Sequence, residues 1–88
     1  MDYTISNHAK LELIDRKIPI KYLEEILSQP QQVIKLDKDK LIYQSIIKFE
    51  NGKQYLIRII VAKRDVLHII TIYRTSKINK YWSKENEN

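Results

Sequence analysis

The sequence predicts an α+β fold in which two N-terminal helices cover one face of an antiparallel β-meander of about four strands. Three observations lead there. Apolar residues recur at three- and four-residue steps as far as Ser28-Gln29-Pro30. From Gln32 onward isoleucine, valine and tyrosine dominate, side chains that suit a pleated surface. The strand-like runs are separated by turn residues, most clearly Asn51-Gly52. With 88 residues, no cysteine, one glycine and two prolines, the chain must be held by packing alone. One domain is therefore expected over residues 1–82, followed by a polar, frayed tail over residues 83–88.

Each element has a local reason. A brief strand is expected over residues 3–5. Ser6 and Asn7 offer an N-cap ahead of Ala9, Leu13 and Ile14, which predicts a first helix over residues 7–17. Pro19 suits the start of a second helix, and Ile20, Leu23, Ile26 and Leu27 give it an apolar face. Strands follow over residues 33–36, 41–49, 54–62 and 66–75, joined by Asp37-Lys38-Asp39, Asn51-Gly52 and Lys63-Arg64. Asn51-Gly52 is read as a type I′ turn, since both residues tolerate positive φ.

These turns set expected registers. Pairing Glu50 with Lys53 puts Ser45 opposite Arg58 and Tyr43 opposite Ile60, and pairing Ala62 with Asp65 puts Ile69 opposite Arg58 and Thr71 opposite Leu56. One face would then be the core, with Ile42, Ile46, Ile57, Ile59, Val61, Val66, Ile70 and Ile72. The other would carry Tyr43, Ser45, Arg58, Thr71 and Tyr73 among Leu56, Ile60, Leu67 and Ile69. A one-residue slip at Lys63-Arg64 would bring His68 and Arg74 onto the face of Arg58 instead.

The composition excludes several classes. An apolar content of 43% is too high for wholesale disorder, and 31% charged residues with no long apolar run leave no membrane span. Met1-Asp2-Tyr3-Thr4 shows no signal-peptide pattern, so a cytoplasmic location is expected. Without cysteine there is no thiol chemistry, and His8 and His68 are too far apart in sequence to form a local zinc motif, so neither a metal nor a cofactor is expected. The net charge of +5 is unevenly placed: residues 1–44 are balanced, and between residues 53 and 84 eight cations face only Asp65. Those cations interleave with Tyr55, Tyr73, Tyr81 and Trp82, a combination that suits phosphate attraction and base stacking and so points to RNA.

Several motifs in order resemble a known family. Ser6-Asn7-His8-Ala9, Arg16-Lys17-Ile18, Ile26-Leu27 ahead of Gln29-Pro30, Tyr43, Arg58 and Ile70-Thr71-Ile72-Tyr73-Arg74-Thr75 resemble the small prokaryotic family catalogued as domain of unknown function 4258. Its pattern is S-x-H-A, R-x-I, a helix ending before proline, and a last strand reading V-T-x-Y-x-T. The resemblance spans nearly all of residues 5–75, and residues 76–82 look like an extension found in a subset of members. It implies a RelE/ParE-like toxin fold, several members of which cut RNA without a metal, and hence a cognate antitoxin as partner. One position departs: many members carry arginine one helical turn after the histidine, where this chain has Glu12. Either another cation takes over that role or activity is lost.

Metal-free RNA cleavage uses the 2′-hydroxyl as nucleophile, so the protein supplies an acid, a base and positive charge. His8 is the acid/base candidate, because histidine alone has an ordinary pKa near the working range, about 6.5. Its structural alternative is capping or packing at the helix start. Arg58 is the candidate for phosphorane charge, set against a structural pair with Glu12 or a buried hydrogen-bond network. Thr71 and Tyr73 complete the expected catalytic set, and their alternative is ordinary sheet packing. Arg74, Thr75, Lys77, Lys80 and Tyr81 are expected to contact the RNA backbone or bases. Arg16 is assigned to an ion pair with Glu12 and His68 to the core or a sheet edge. The expected function is thus a metal-independent endoribonuclease toxin, and the alternative a non-catalytic module of the same fold that binds RNA or protein.

Overall fold

The computed structural model of the chain describes residues 2–84. Its elements run β1 (Tyr3–Ile5), α1 (Asn7–Asp15), α2 (Ile20–Ser28), β2 (Gln32–Lys35), β3 (Lys40–Lys48), β4 (Gln54–Lys63), β5 (Leu67–Thr75) and α3 (Ile78–Tyr81). The α+β class is the expected one, but the sheet is mixed rather than a pure antiparallel meander. Its five strands lie in the order β1-β5-β4-β3-β2, with β1 parallel to β5. No helix among the described residues is long and apolar enough to cross a membrane.

Ser6 ties the first helix to the sheet. Its Oγ accepts from the Ala9 N–H at 3.0 Å, capping α1, and donates to the Ile70 carbonyl at 2.8 Å. Helix α1 stops at Asp15, short of the expected residue 17, because the chain turns left-handed at Lys17, with φ +53°. The Lys17 N–H bonds to Ile14 O and the Ile18 N–H to Leu13 O, which satisfies two orphan carbonyls of the last turn. This turn buries Ile18 beside Ala9, Leu23, Ile26 and Leu27, and the group packs on Ile57, Ile59, Val61, Ile69 and Ile72 of the sheet.

Both hairpin registers differ from expectation, for identifiable reasons. At Asn51-Gly52 only Gly52 has a positive φ, +82°, so the turn cannot be type I′. Phe49 and Lys53 pair across a three-residue loop instead, and the Asn51 side chain accepts from Lys53 N–H at 2.9 Å. Gln44 rather than Ser45 then lies opposite Arg58, and Tyr43 opposite Ile59. At the next hairpin Lys63 stays in the ladder opposite Leu67, because lysine and arginine do not favour the positive φ of a two-residue turn. A bulge at Ile60/Val61 then shifts the register, so that Arg58 lies opposite Tyr73, not Ile69, and Thr71 opposite Ile60, not Leu56.

These shifts redistribute the two faces, since directly opposed residues share one. Tyr43 and Ser45 join Ile57 and Ile59 on the helix side, and Leu67 and Ile69 pack there too. Ile42 and Ile46 move to the side of Arg58, opposite Ile60 and Leu56. His68, opposite Ala62, also reaches that side, whereas Arg74 does not. Of the residues expected to fray, Ser83 is hydrogen-bonded to Gln32, and residues 85–88 lie outside the described residues.

Candidate functional site

The face of the sheet away from α1 and α2 carries an unbroken polar row. Gln32 of β2, Gln44 of β3, Arg58 of β4 and Tyr73 of β5 lie opposite one another in successive registers. Each is hydrogen-bonded to the next. Gln44 Nε2 donates to Gln32 Oε1 at 2.6 Å, Arg58 Nε donates to Gln44 Oε1 at 2.9 Å, and an Arg58 terminal nitrogen donates to the Tyr73 hydroxyl at 2.6 Å. Gln44 is completely buried and Gln32 nearly so, and no buried side-chain polar atom among the described residues lacks a partner. Burying amides among isoleucines is tolerable only under that condition, since each orphaned group would cost about 1–3 kcal/mol.

The C-terminal segment closes over this row. Gln44 Nε2 also donates to the Tyr81 carbonyl at 3.2 Å. Gln32 accepts from Ser83 N–H at 3.0 Å and donates to Ser83 O at 2.7 Å, as a neighbouring strand would. The Tyr81 ring thereby lies 4.6 Å from the Arg58 guanidinium, with Tyr73 at 5.8 Å and edge-on to Tyr81. The exposed Lys80 sits 5.3 Å from the Tyr81 ring. A guanidinium against two phenol rings, beside an exposed lysine, can hold a phosphate and stack a base.

A second polar cluster occupies the edge of β5 beyond the reach of β1. Glu12 Oε1 accepts from the Ile72 N–H at 3.0 Å and from the Thr71 hydroxyl, so a side chain of α1 replaces a missing strand partner. His8 Nε2 lies 3.2 Å from the same carboxylate, and Arg16 Nε lies 3.6 Å from its other oxygen. The His8 side chain is 69% exposed, so it neither caps nor packs the helix start. Its carboxylate partner orients the ring from behind, as general bases are commonly oriented.

The expected catalytic residues therefore fall into two groups. Thr71 belongs with His8 and Glu12, and Tyr73 with Arg58. The two meet on β5, where residues two apart project to the same side about 7 Å from each other. Among the described residues His8 and Arg58 share no hydrogen-bond partner. Of the expected RNA contacts, Tyr81 and Lys80 lie at Arg58, while Thr75 Oγ1 accepts from Lys77 N–H at 3.1 Å and holds the entry to α3. Arg74 is directed elsewhere. It lies opposite Ile57, on the helix side, against the rings of Phe49 and Tyr55. His68 lies inside the sheet rather than at its edge, paired with Thr4 of β1 and Ala62 of β4, its Nδ1 2.7 Å from the Thr4 hydroxyl.

Gln32 and Gln44 were not foreseen. Gln44 is an isolated amide in an apolar strand, a signal visible in the sequence, whereas Gln32 follows Gln31 at a strand start and carries none; the meaning of both depends on the register that puts them in line with Arg58. Compared with known proteins, the chain matches no family model, no curated protein and no solved structure.

Proposed function

We propose that the protein is a metal-independent endoribonuclease of the toxin class with a RelE/ParE-like fold, acting in the cytoplasm and restrained by a cognate antitoxin. The observation that carries this reading is the convergence of two polar clusters on β5: an exposed, carboxylate-oriented His8 at Thr71, and a ring-flanked Arg58 at Tyr73. An RNA phosphodiester lying along β5 would place its 2′-hydroxyl toward His8 and its phosphate oxygens toward Arg58. His8 takes the 2′-proton as the 2′-oxygen bonds to phosphorus, and Arg58 offsets the charge that builds on the phosphorane. The P–O5′ bond breaks as the leaving 5′-oxygen takes a proton from water, leaving a 2′,3′-cyclic phosphate. Glu12, at the position where arginine is usual in the family, serves as the orienting carboxylate, so phosphate charge must come from Arg58, Lys77 and Lys80. Leu11 and Ile14, 60% and 73% exposed on α1, support a protein partner on the helical side.

The test is incubation of RNA with purified protein in EDTA. Cleavage leaving cyclic-phosphate ends is expected, with His8→Ala and Arg58→Gln each lowering the rate by about a hundredfold at unchanged circular dichroism. Wild-type rates in both variants would remove the proposed site. The second reading, a non-catalytic RNA-binding module, is favoured by the internal hydrogen bonds of Arg58, which suffice to explain its presence. In that case RNA stays intact, affinity falls steeply with salt, and His8→Ala binds normally.

A further inference from the structure

A cleft of about 250 Å³ opens on the helix side of the sheet, between the α1–α2 junction and the β3–β4 turn. Lys17, Lys21 and Arg74 line it against a single carboxylate, Glu50. The Arg74 guanidinium lies 4.7 Å from the centre of the Phe49 ring and 4.5 Å from that of Tyr55. Among the described residues it makes no hydrogen bond or ion pair, so its planar fork of donors is fixed in place and unused. Lys17 holds φ +53°, a helix-ending position where glycine avoids strain and where lysine instead adds a cation to the cleft. Pro19 and the edge-to-face pair of Tyr22 and Phe49, 5.2 Å apart, supply an apolar wall beside the cations.

We propose that this cleft binds a nucleoside monophosphate unit, with the phosphate on Arg74, Lys17 and Lys21 and the base against Pro19 and Tyr22. Arginine presents paired N–H donors that match phosphate oxygens, and a guanidinium already immobilised by two rings loses little freedom on binding. The volume falls just below the range of about 300–1,000 Å³ typical of drug-sized ligands, which suits one nucleotide rather than a strand. The unit is either a free nucleotide or the phosphorylated 5′ end of an RNA. Because Arg74 and Arg58 belong to opposite faces of the sheet, the site does not depend on the ribonuclease reading.

The experiment is titration of the full ¹⁵N-labelled chain, followed by NMR, with 5′-AMP, inorganic phosphate and adenosine. AMP is expected to shift the Arg74 Nε–H and the amides near Phe49 and Asn51, binding about tenfold more tightly than adenosine, with inorganic phosphate displacing it from the same signals. Arg74→Gln should weaken AMP binding about tenfold or more, while Arg58→Gln leaves it unchanged. A short RNA with and without a 5′-phosphate then separates the two sources: preference for the phosphorylated RNA identifies an RNA end, and binding of AMP alone identifies a free nucleotide. Lys17→Gly guards against a folding artefact, since it should lower AMP affinity several-fold while raising the melting temperature. Equal affinity for AMP and adenosine, unchanged affinity in Lys17→Gly, or shifts confined to the Arg58 face would each overturn the proposal.

Discussion

Arg58 and Arg74 lie on neighbouring antiparallel strands, each against two aromatic rings, yet they do different work. Arg58 donates to Gln44 and Tyr73 and is the third member of a four-strand hydrogen-bonded row. Arg74 has rings on one side and no acceptor among the described residues. The rings can position a guanidinium on either face of the sheet. What decides its role is whether the protein also provides oxygens for its N–H groups. Where it does, the cation is built into the fold; where it does not, the donors remain available to something outside.

The comparison is broken most directly by deleting each cation. Arg58→Ala leaves the buried Gln44 oxygen and the Tyr73 hydroxyl without their donor, and is expected to cost about 2 kcal/mol in urea denaturation. Arg74→Ala removes only ring contacts and is expected to cost under about 1 kcal/mol. Equal losses would show that the row contributes nothing beyond packing. Glu12→Ala reverses the situation by removing an acceptor: the Ile72 N–H and Thr71 hydroxyl lose their partner, at about 1–2 kcal/mol, and amide exchange at Ile72 should accelerate while that of Ile59, inside the sheet, changes little.

The smallest effect concerns Tyr3, whose hydroxyl donates to Glu24 Oε2 at 3.3 Å. Burial, and then the charge and hydrogen bond of Glu24, hold its pKa above the ordinary tyrosine value. The folded state thus keeps a proton that the unfolded state releases. Its contribution is fully present below about pH 10 and is lost as pH rises from there through the folded-state value. Tyr3→Phe should flatten that alkaline decline in thermal melts, and an unaltered slope would assign the decline to other groups.

The first two helices were legible in the sequence because their signals are local: a serine that caps, a proline that starts and a proline that stops; α3 was not, since its four residues sit in a basic, aromatic segment with no cap. Arg58, Thr71 and Tyr73 were also correctly grouped on one side of the sheet, although the pairing that groups them was misread by four residues at β4–β5. An even error in an alternating strand preserves the face, and this one does so for Arg58, Thr71 and Tyr73. The β3–β4 register failed by one, an odd error, and exchanged Tyr43 and Ser45 for Ile42, Gln44 and Ile46. Asn-Gly is compatible with more than one loop length, and its two residues carry no information on which the flanking strands prefer. The parallel pairing of β1 with β5 and the edge role of Glu12 were beyond reach for a different reason, since both depend on contacts more than fifty residues away in the chain.

Gln32 grips Ser83 through that residue's own N–H and carbonyl, and Gln44 takes the carbonyl of Tyr81. None of these three contacts reads a side chain. The two glutamines behave as a generic clasp, indifferent to the letters of the segment they hold, so the residues that ride on it are free to diversify while its seat on the sheet stays the same. A segment fastened by its backbone is a replaceable part: the chemistry displayed above Arg58 can be rewritten in the codons of residues 77–83 without redesigning the sheet beneath.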